Sequence, residues 1–224
     1  MDHEKGKTAF LTIDLGHPSP GALESMLDTL ERLGVRATFF IPASLAKRKP
    51  GLIEEVADRG HEVGSLGYTC SRLDKMSPEE AASEVTRGIR LLRELYPVKS
   101  FRAPYMRLPR SLLPLLSREG ILVDSSLRLH LGVANTAPRV EGGVIRLPVT
   151  HGDYLLRLPW SMQKVFHTAP PRVAVFRVSA SRPLGGLGQD PLVRAVLYYL
   201  EHGYRFSTMS EAVDFYKIVA GARV

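Results

Sequence analysis

Residues 8–14 read TAFLTID, an apolar and β-branched run that ends in an acidic residue. Such a run predicts a strand buried on both faces, because a strand with one solvated face alternates apolar with polar residues. A proline-rich loop follows at residues 15–21, and residues 22–33 then repeat apolar side chains at helical spacing. Gly34 is placed to end this helix. The start of the chain therefore predicts a strand–helix unit with an acid at the carboxyl end of the strand.

The alternation of strand and helix continues to the end of the chain. Ser77, Pro78 and Glu80 have the spacing of a capping box and mark one strong helix start. Short connections between alternating elements predict parallel strands joined by right-handed crossovers, and about seven strands predict closure. We expect one α/β domain over residues 1–224, with its core at about 8–215, folded as an irregular β/α barrel of about seven parallel strands. The further strands are predicted at 37–41, 61–65, 98–102, 121–124, 144–148, 173–176 and 204–206, and the further helices at 52–58, 78–95, 112–118, 191–202 and from 208.

Composition narrows the class of protein. The 224 residues carry a net charge of +7, but the basic residues are scattered and no nucleic-acid-binding motif is present, so we expect no specific nucleic-acid partner. Cys70 is the only cysteine, which excludes an intrachain disulfide and favours a reducing compartment. No signal core and no apolar run of membrane-spanning length precede or interrupt the domain, so we expect a cytoplasmic location and no membrane association. Scarce amide side chains favour a thermophilic source.

Functional residues are expected at one end of the barrel. Chemistry in such barrels lies at the carboxyl ends of the strands, and several polar residues fall there. The first strand ends at Asp14, the fourth at Arg102 and the fifth at Asp124. Cys70 follows the third strand, and Arg177 ends a late strand. These side chains are therefore predicted to converge on one mouth.

Five short stretches carry a resemblance to a known family. Together they resemble the motifs of the polysaccharide deacetylases, carbohydrate esterase family 4, over roughly residues 8–215. The family has an irregular barrel of seven strands and helices, which agrees with the fold expected above. The stretches are TIDLG at 12–16, GHEVGSLGYTC at 60–70, FRAPY at 101–105, VDSS at 123–126 and VFRV at 175–178.

The resemblance implies roles for individual residues. Asp14 matches the acid that activates water, and Arg102 matches the arginine that orients this acid. The backbone amide of Tyr105 matches an oxyanion donor. Asp124 and Ser125 match a segment that lines the site and contacts the arginine, so that an Arg102 pair with Asp14 or Asp124 would be bidentate.

The chain departs from the family where the family binds metal. Leu15 stands at the position of the metal-binding acid, and Leu66 and Cys70 stand at the two metal-binding histidines. Leucine has no lone pair to offer, so we expect no metal cofactor and no standard zinc-dependent N-deacetylation. Arg177 stands at the general-acid histidine, and a permanently charged guanidinium donates no proton near neutral pH. The candidate catalytic residues are therefore Asp14, Arg102, Asp124 and Arg177, with Asp14 as the base in an active hydrolase and the arginines stabilising negative charge.

Other interpretations stay open. Asp14, His17 and Cys70 could instead hold a zinc ion with three protein ligands and one water molecule. His151 and Asp153 could contribute to such a site. The candidate ligand-binding residues are His17, Tyr105, His61 and Ser125, with His61 in a structural position behind the site. The expected partner is a small-molecule or carbohydrate-like ligand, polar or anionic. The alternative functions are a hydrolase of C–N bonds with altered machinery and a non-catalytic scaffold. The sequence carries no signal for an oligomeric state.

Overall fold

The computed structural model describes residues 7–127, 137–153, 172–180, 190–214 and 216. Strands and helices alternate along these residues, and no helix among them is long and apolar enough to cross a membrane. The strands are β1 (Lys7–Asp14), β2 (Thr38–Ile41), β3 (Glu62–Ser65), β4 (Ser100–Phe101), β5 (Val123–Asp124), β6 (Arg139–Glu141), β7 (Val144–Arg146), β8 (Val173–Ser179) and β9 (Tyr204–Ser207). The helices are α1 (Ala22–Leu33), α2 (Ala43–Arg48), α3 (Leu52–Asp58), α4 (Pro78–Arg93), α5 (Leu113–Arg118) and α6 (Pro191–Glu201).

The described strands form one sheet that curls into an irregular barrel. Its order is β6-β7-β5-β4-β3-β2-β1-β8, and β9 also pairs with β1. Every pairing is parallel except that of β6 with β7. A bridge between His151 and Phe176 joins the chain after β7 to β8 and brings the two ends of the sheet together. The predicted α/β barrel is confirmed, and the antiparallel β6 is the element that the alternation did not predict.

Side chains alternate between the barrel interior and the layer of helices, as the two-residue period of a strand requires. On β1, Ala9, Leu11 and Ile13 pack in the cluster shared with the helices, whereas Phe10 packs in a second, interior cluster. The same alternation places Thr12 and Asp14 on the interior side. Asp14, as the last residue of β1, therefore lies inside the barrel at its carboxyl end.

Two local features of the helices bear on the site. The capping box of α4 is confirmed, since Ser77 Oγ accepts from the Glu80 amide and Glu80 Oε2 accepts from the Ser77 amide. Pro42, predicted only to close β2, is also the N-terminal cap of the short α2. The amides of Ala43 and Ser44 in α2 donate to the carbonyls of Gly67 and Tyr68. This helix therefore holds the loop that runs from β3 to Cys70.

Helix α4 presses against the same loop through a glycine. A methyl group on Gly88 would lie 2.4 Å from the carbonyl carbon of Gly67 and 2.7 Å from the Tyr68 amide nitrogen. Alanine favours a helix by about 1 kcal/mol over glycine, but a clash with backbone costs about 1–3 kcal/mol. We expect Gly88→Ala to lower the midpoint of thermal unfolding. The exposed Ser83→Ala in the same helix is the control, and a Gly88→Ala variant as stable as that control would contradict this packing.

Candidate functional site at the barrel mouth

The carboxylate of Asp14 is held by two arginines at the mouth of the barrel. Oδ1 accepts from Arg102 Nη1 at 2.9 Å, and Oδ2 accepts from Arg177 Nε at 2.7 Å. The three residues come from β1, from the end of β4 and from β8, so the ion pairs link three strands. Burial raises the pKa of Asp14, but the two guanidiniums outweigh it and hold that pKa below its usual range. Asp14 is therefore a carboxylate with both oxygens engaged and with weakened basicity.

Arg102 is fully buried and its guanidinium is hydrogen-bonded on three nitrogens. Nη1 also donates to Thr12 Oγ1 at 2.7 Å, Nε donates to the Ser125 carbonyl at 3.0 Å, and Nη2 donates to Ser125 Oγ at 2.7 Å. The guanidinium lies over the Phe40 ring, 4.4 Å from its centroid, a cation–π arrangement. The arginine contacts Asp14 through one nitrogen only, so the pair is not bidentate. Its remaining donors bind the segment after β5.

The guanidinium of Arg177 makes fewer hydrogen bonds to the described residues than that of Arg102. Besides its Nε contact with Asp14, its Nη1 lies 3.6 Å from Asp153 Oδ2, an ion pair beyond hydrogen-bond distance. Asp153 is itself fixed, because its Oδ1 accepts from the Ser179 amide at 3.0 Å. The side chain of Arg177 is 22% exposed. The guanidinium therefore presents N–H groups at the mouth while Asp14 fixes its position.

Leu66 and Cys70 lie beside this charged cluster. Leu66 is buried in the interior cluster with Phe10 and Phe40, and Cys70 packs against that cluster. A methyl group on Gly16 would lie 2.9 Å from Cys70 Sγ and 3.7 Å from Leu66 Cδ2, so the three residues meet where β1 ends. Burial, with smaller contributions from Asp14 and Glu84, raises the pKa of the Cys70 thiol to about 11. An aliphatic side chain and a protonated thiol thus occupy this side of the mouth.

Leu15 points the other way. It is fully buried in the cluster between the sheet and the helices, and its amide donates to the Phe40 carbonyl at 2.9 Å. The alternation of β1 continues through this residue, so that consecutive residues Asp14 and Leu15 face opposite sides of the sheet.

Tyr105 and His17 lie at the rim. Tyr105 is 52% exposed and has a φ of 57°, a left-handed conformation that is uncommon for a residue other than glycine. His17 is exposed on the loop after β1. Asp14, His17 and Cys70, the alternative zinc ligands, do not come together, and the described part of the chain contains no group of three His, Cys, Asp or Glu side chains that could hold a metal ion.

Asp124 lies outside the charged cluster in which the sequence placed it. Its Oδ2 accepts from Arg146 Nε at 2.9 Å, and its Oδ1 accepts from the amide and the hydroxyl of Ser126. Val123 packs in the interior cluster, so its neighbour Asp124 faces away from the interior. The expected Arg102–Asp124 pair does not form, because Arg146 occupies the carboxylate. Ser125 does contact Arg102, but it is fully buried and supports the arginine instead of facing a ligand.

His61 lies far along the strand from the mouth. It precedes β3, whereas the mouth follows the end of that strand. Its Nδ1 accepts from the Ala37 amide at 3.2 Å, and burial lowers its pKa to about 4. The histidine is therefore a neutral, buried residue at the opposite end of the barrel. It does not line the mouth as a ligand-binding residue.

Three residues of this region were given no role of their own from the sequence: Thr12, Arg146 and Ser126. Asp153 was named only as a possible further zinc ligand. Arg146 and Thr12 were detectable in principle, because a polar residue inside an apolar strand requires a buried partner. Ser126 gave no such signal, and the observed contacts of Asp153 with Ser179 and Arg177 were not predicted, since these contacts depend on loops whose paths sequence patterns do not specify.

Comparisons with known proteins agree with this architecture. A family model described as polysaccharide deacetylase matches residues 2–123. The chain is 37% identical over 81 residues to the peptidoglycan-N-acetylglucosamine deacetylase PgdA of Listeria monocytogenes, covering 36% of this chain and 17% of that protein. It is 33% identical over 102 residues to the chitooligosaccharide deacetylase of Bradyrhizobium sp., covering 44% of this chain and 46% of that protein. The chain thus spans less than half the length of these relatives.

A solved structure extends the likeness over almost the whole chain. The wild-type protein from Bacillus anthracis, described as a family 4 carbohydrate esterase pseudoenzyme, superposes with a TM-score of 0.70 at 16% identity, over 93% of this chain and 66% of that one. A variant of that protein is described as having restored enzymatic activity. At this identity the superposition shows the fold alone, whereas the family model covers more than half of the sequence. The chain belongs to the polysaccharide deacetylase family.

Proposed function

We propose that this chain is a saccharide-binding member of its family that does not catalyse zinc-dependent deacetylation. The observation that carries the proposal is the state of Asp14. Both of its oxygens accept hydrogen bonds from guanidiniums, at 2.9 and 2.7 Å, at the position where the family activates water beside a metal ion. The peptidoglycan and chitooligosaccharide deacetylases to which the chain is similar act on amino-sugar polymers, and the mouth of the same barrel is the natural place for such a ligand.

The side chains at the mouth do not suit a divalent cation. Leu66 supplies no donor atom and Leu15 faces the helices, so that Cys70 is the one of these three side chains with a donor atom. Arg102 and Arg177 already place two positive charges on Asp14, and a further dication would be repelled by both.

A hydrolase of C–N bonds that works without metal is less well supported. It would need Asp14 as a general base, and a catalytic base is most effective when its pKa lies near the working pH. The two arginines lower the pKa of Asp14, away from neutral pH. A scaffold role has no specific observation in its favour.

Binding without turnover is the expected result with oligomers of N-acetylglucosamine. We expect a measurable dissociation constant by calorimetry and no release of acetate, with or without added Zn²⁺. Tyr105→Ala should weaken binding about tenfold, ~1.4 kcal/mol, because its exposed ring offers an apolar face and a polar hydroxyl at the rim.

Leu122→Ala is the matched control for this experiment. Leu122 is also an exposed apolar residue, but it lies just before β5, at the opposite end of the barrel. Its substitution should leave the dissociation constant unchanged. Acetate release that rises with added Zn²⁺ would refute the proposal, and so would the absence of saccharide binding.

A further inference from the structure

The charges around Asp14 cancel. Arg102 and Arg177 carry two positive charges, and Asp14 and Asp153 carry two negative ones. At the nearby rim, Arg72, which lies close to Tyr105, pairs with Asp74. Arg107 close to Asp74 and Glu84 close to Cys70 add one charge of each sign. A ligand group with a charge of either sign would leave an uncompensated charge in this partly buried place, which is costly. The mouth therefore suits a neutral polar group better than the anionic ligand that the sequence left open.

Arg177 is the donor that such a group would meet. Only its Nε donates a hydrogen bond within the described residues, and its Nη1 is too far from Asp153 for one. The guanidinium is partly exposed and held in place by Asp14, so the N–H groups that have no partner among the described residues need no reorganisation to bind an acceptor. A carbonyl oxygen is a neutral acceptor, and its hydrogen bond to a charged donor is stronger than one between two neutral groups.

We infer that Arg177 binds the acyl oxygen of an N-acetylated amino sugar and that the mouth thereby distinguishes acetylated from deacetylated saccharides. This inference rests on the proposed saccharide binding and adds its selectivity. Removal of the acetyl group takes away the acceptor and leaves an ammonium group in a place where the charges already cancel. Both changes disfavour the deacetylated ligand, the first by loss of a hydrogen bond and the second because the added charge has no partner of opposite sign left to pair with it.

Calorimetry with two ligands of equal length tests the inference on the full chain. We expect the N-acetylglucosamine tetramer to bind at least about tenfold more tightly than the fully deacetylated glucosamine tetramer. Arg177→Gln should bring the two dissociation constants close together. Arg177→Lys should bind the acetylated tetramer more weakly than the wild type does and should still bind the deacetylated tetramer poorly. Lysine keeps the positive charge but lacks the fixed planar donors of arginine.

The outcomes separate this inference from the proposal on which it rests. If the wild type binds both tetramers equally, or prefers the deacetylated one, the role of Arg177 is refuted while saccharide binding stands. If it binds neither, both fail. A preference that survives Arg177→Gln also refutes the role of Arg177, provided that thermal unfolding shows the variant to be folded. The two dissociation constants measured on the wild type show whether the mouth prefers the acetylated tetramer, even if no Arg177 variant folds.

Discussion

Replacing Asp14 with asparagine is expected to lower the free energy of unfolding by about 3–5 kcal/mol, the usual cost of removing one partner from a buried ion pair. Arg102 is fully buried, and Asp14 is the carboxylate to which it hydrogen-bonds. The asparagine keeps the size of the side chain but removes the charge, so that the buried Arg102 loses its carboxylate partner and Arg177 keeps only the longer contact with Asp153. Urea unfolding of the two proteins measures the difference.

This result would distinguish a structural carboxylate from a catalytic one. An acid kept only for chemistry often lowers stability, and its removal is then neutral or stabilising. Asp153→Asn is the matched control, because Asp153 is partly exposed and lies 3.6 Å from Arg177. We expect that substitution to cost less than about 1 kcal/mol. If Asp14→Asn is as stable as the wild type, Asp14 does not hold the three strands together.

The difference in the free energy of unfolding between the wild type and Asp14→Asn should depend on pH in a defined way. The folded-state pKa of Asp14 is depressed, so the folded protein binds this proton less readily than the unfolded chain does. The stabilisation is therefore fully present above the ordinary aspartate pKa of 3.8 and is lost as the pH falls through the lower, folded value. The stability difference between wild type and Asp14→Asn should be constant near neutral pH and should shrink only below that ordinary value.

Local patterns in the sequence were sufficient for the fold. Alternating apolar runs, the glycine that ends α1 and the capping box of α4 each have a local physical cause, and the structure contains all of them. The antiparallel β6 and the short α2 were not predicted. Strand β6 has three residues and α2 has six, too few for a periodic pattern to appear.

The site was predicted in position but only partly in its contacts. Asp14 and Arg102 were expected at the mouth and do meet there. Asp124 was expected beside them, yet it faces the other side of the sheet and binds Arg146. The two-residue period of a strand places Asp124 and Ser125 on opposite sides of the sheet, so this error could have been avoided. The contact of Arg177 with Asp14 depends on the register of β8 against β1, which pairs Thr12 with Arg177 and which no local pattern specifies.

We propose that a metal ion and Arg177 exclude each other. The Arg177 guanidinium occupies one oxygen of Asp14, so this carboxylate cannot replace the metal-binding acid that Leu15 has displaced, and Leu66 and Cys70 fill the space beside it. Histidines at positions 66 and 70, together with a freed Asp14, would supply three zinc ligands and leave one position for water. We therefore expect the Leu66→His, Cys70→His double variant to bind zinc poorly while Arg177 is present. The triple variant with Arg177→Ala should bind it tightly.

Zinc content after dialysis against Zn²⁺ tests this account most directly, measured by elemental analysis on the wild type, the double variant and the triple variant. Our account predicts about one ion per chain in the triple variant and only background zinc in the other two. Stoichiometric zinc in the wild type, or equal zinc in the double and triple variants, would contradict the claim that the guanidinium bound to Asp14 excludes a metal ion.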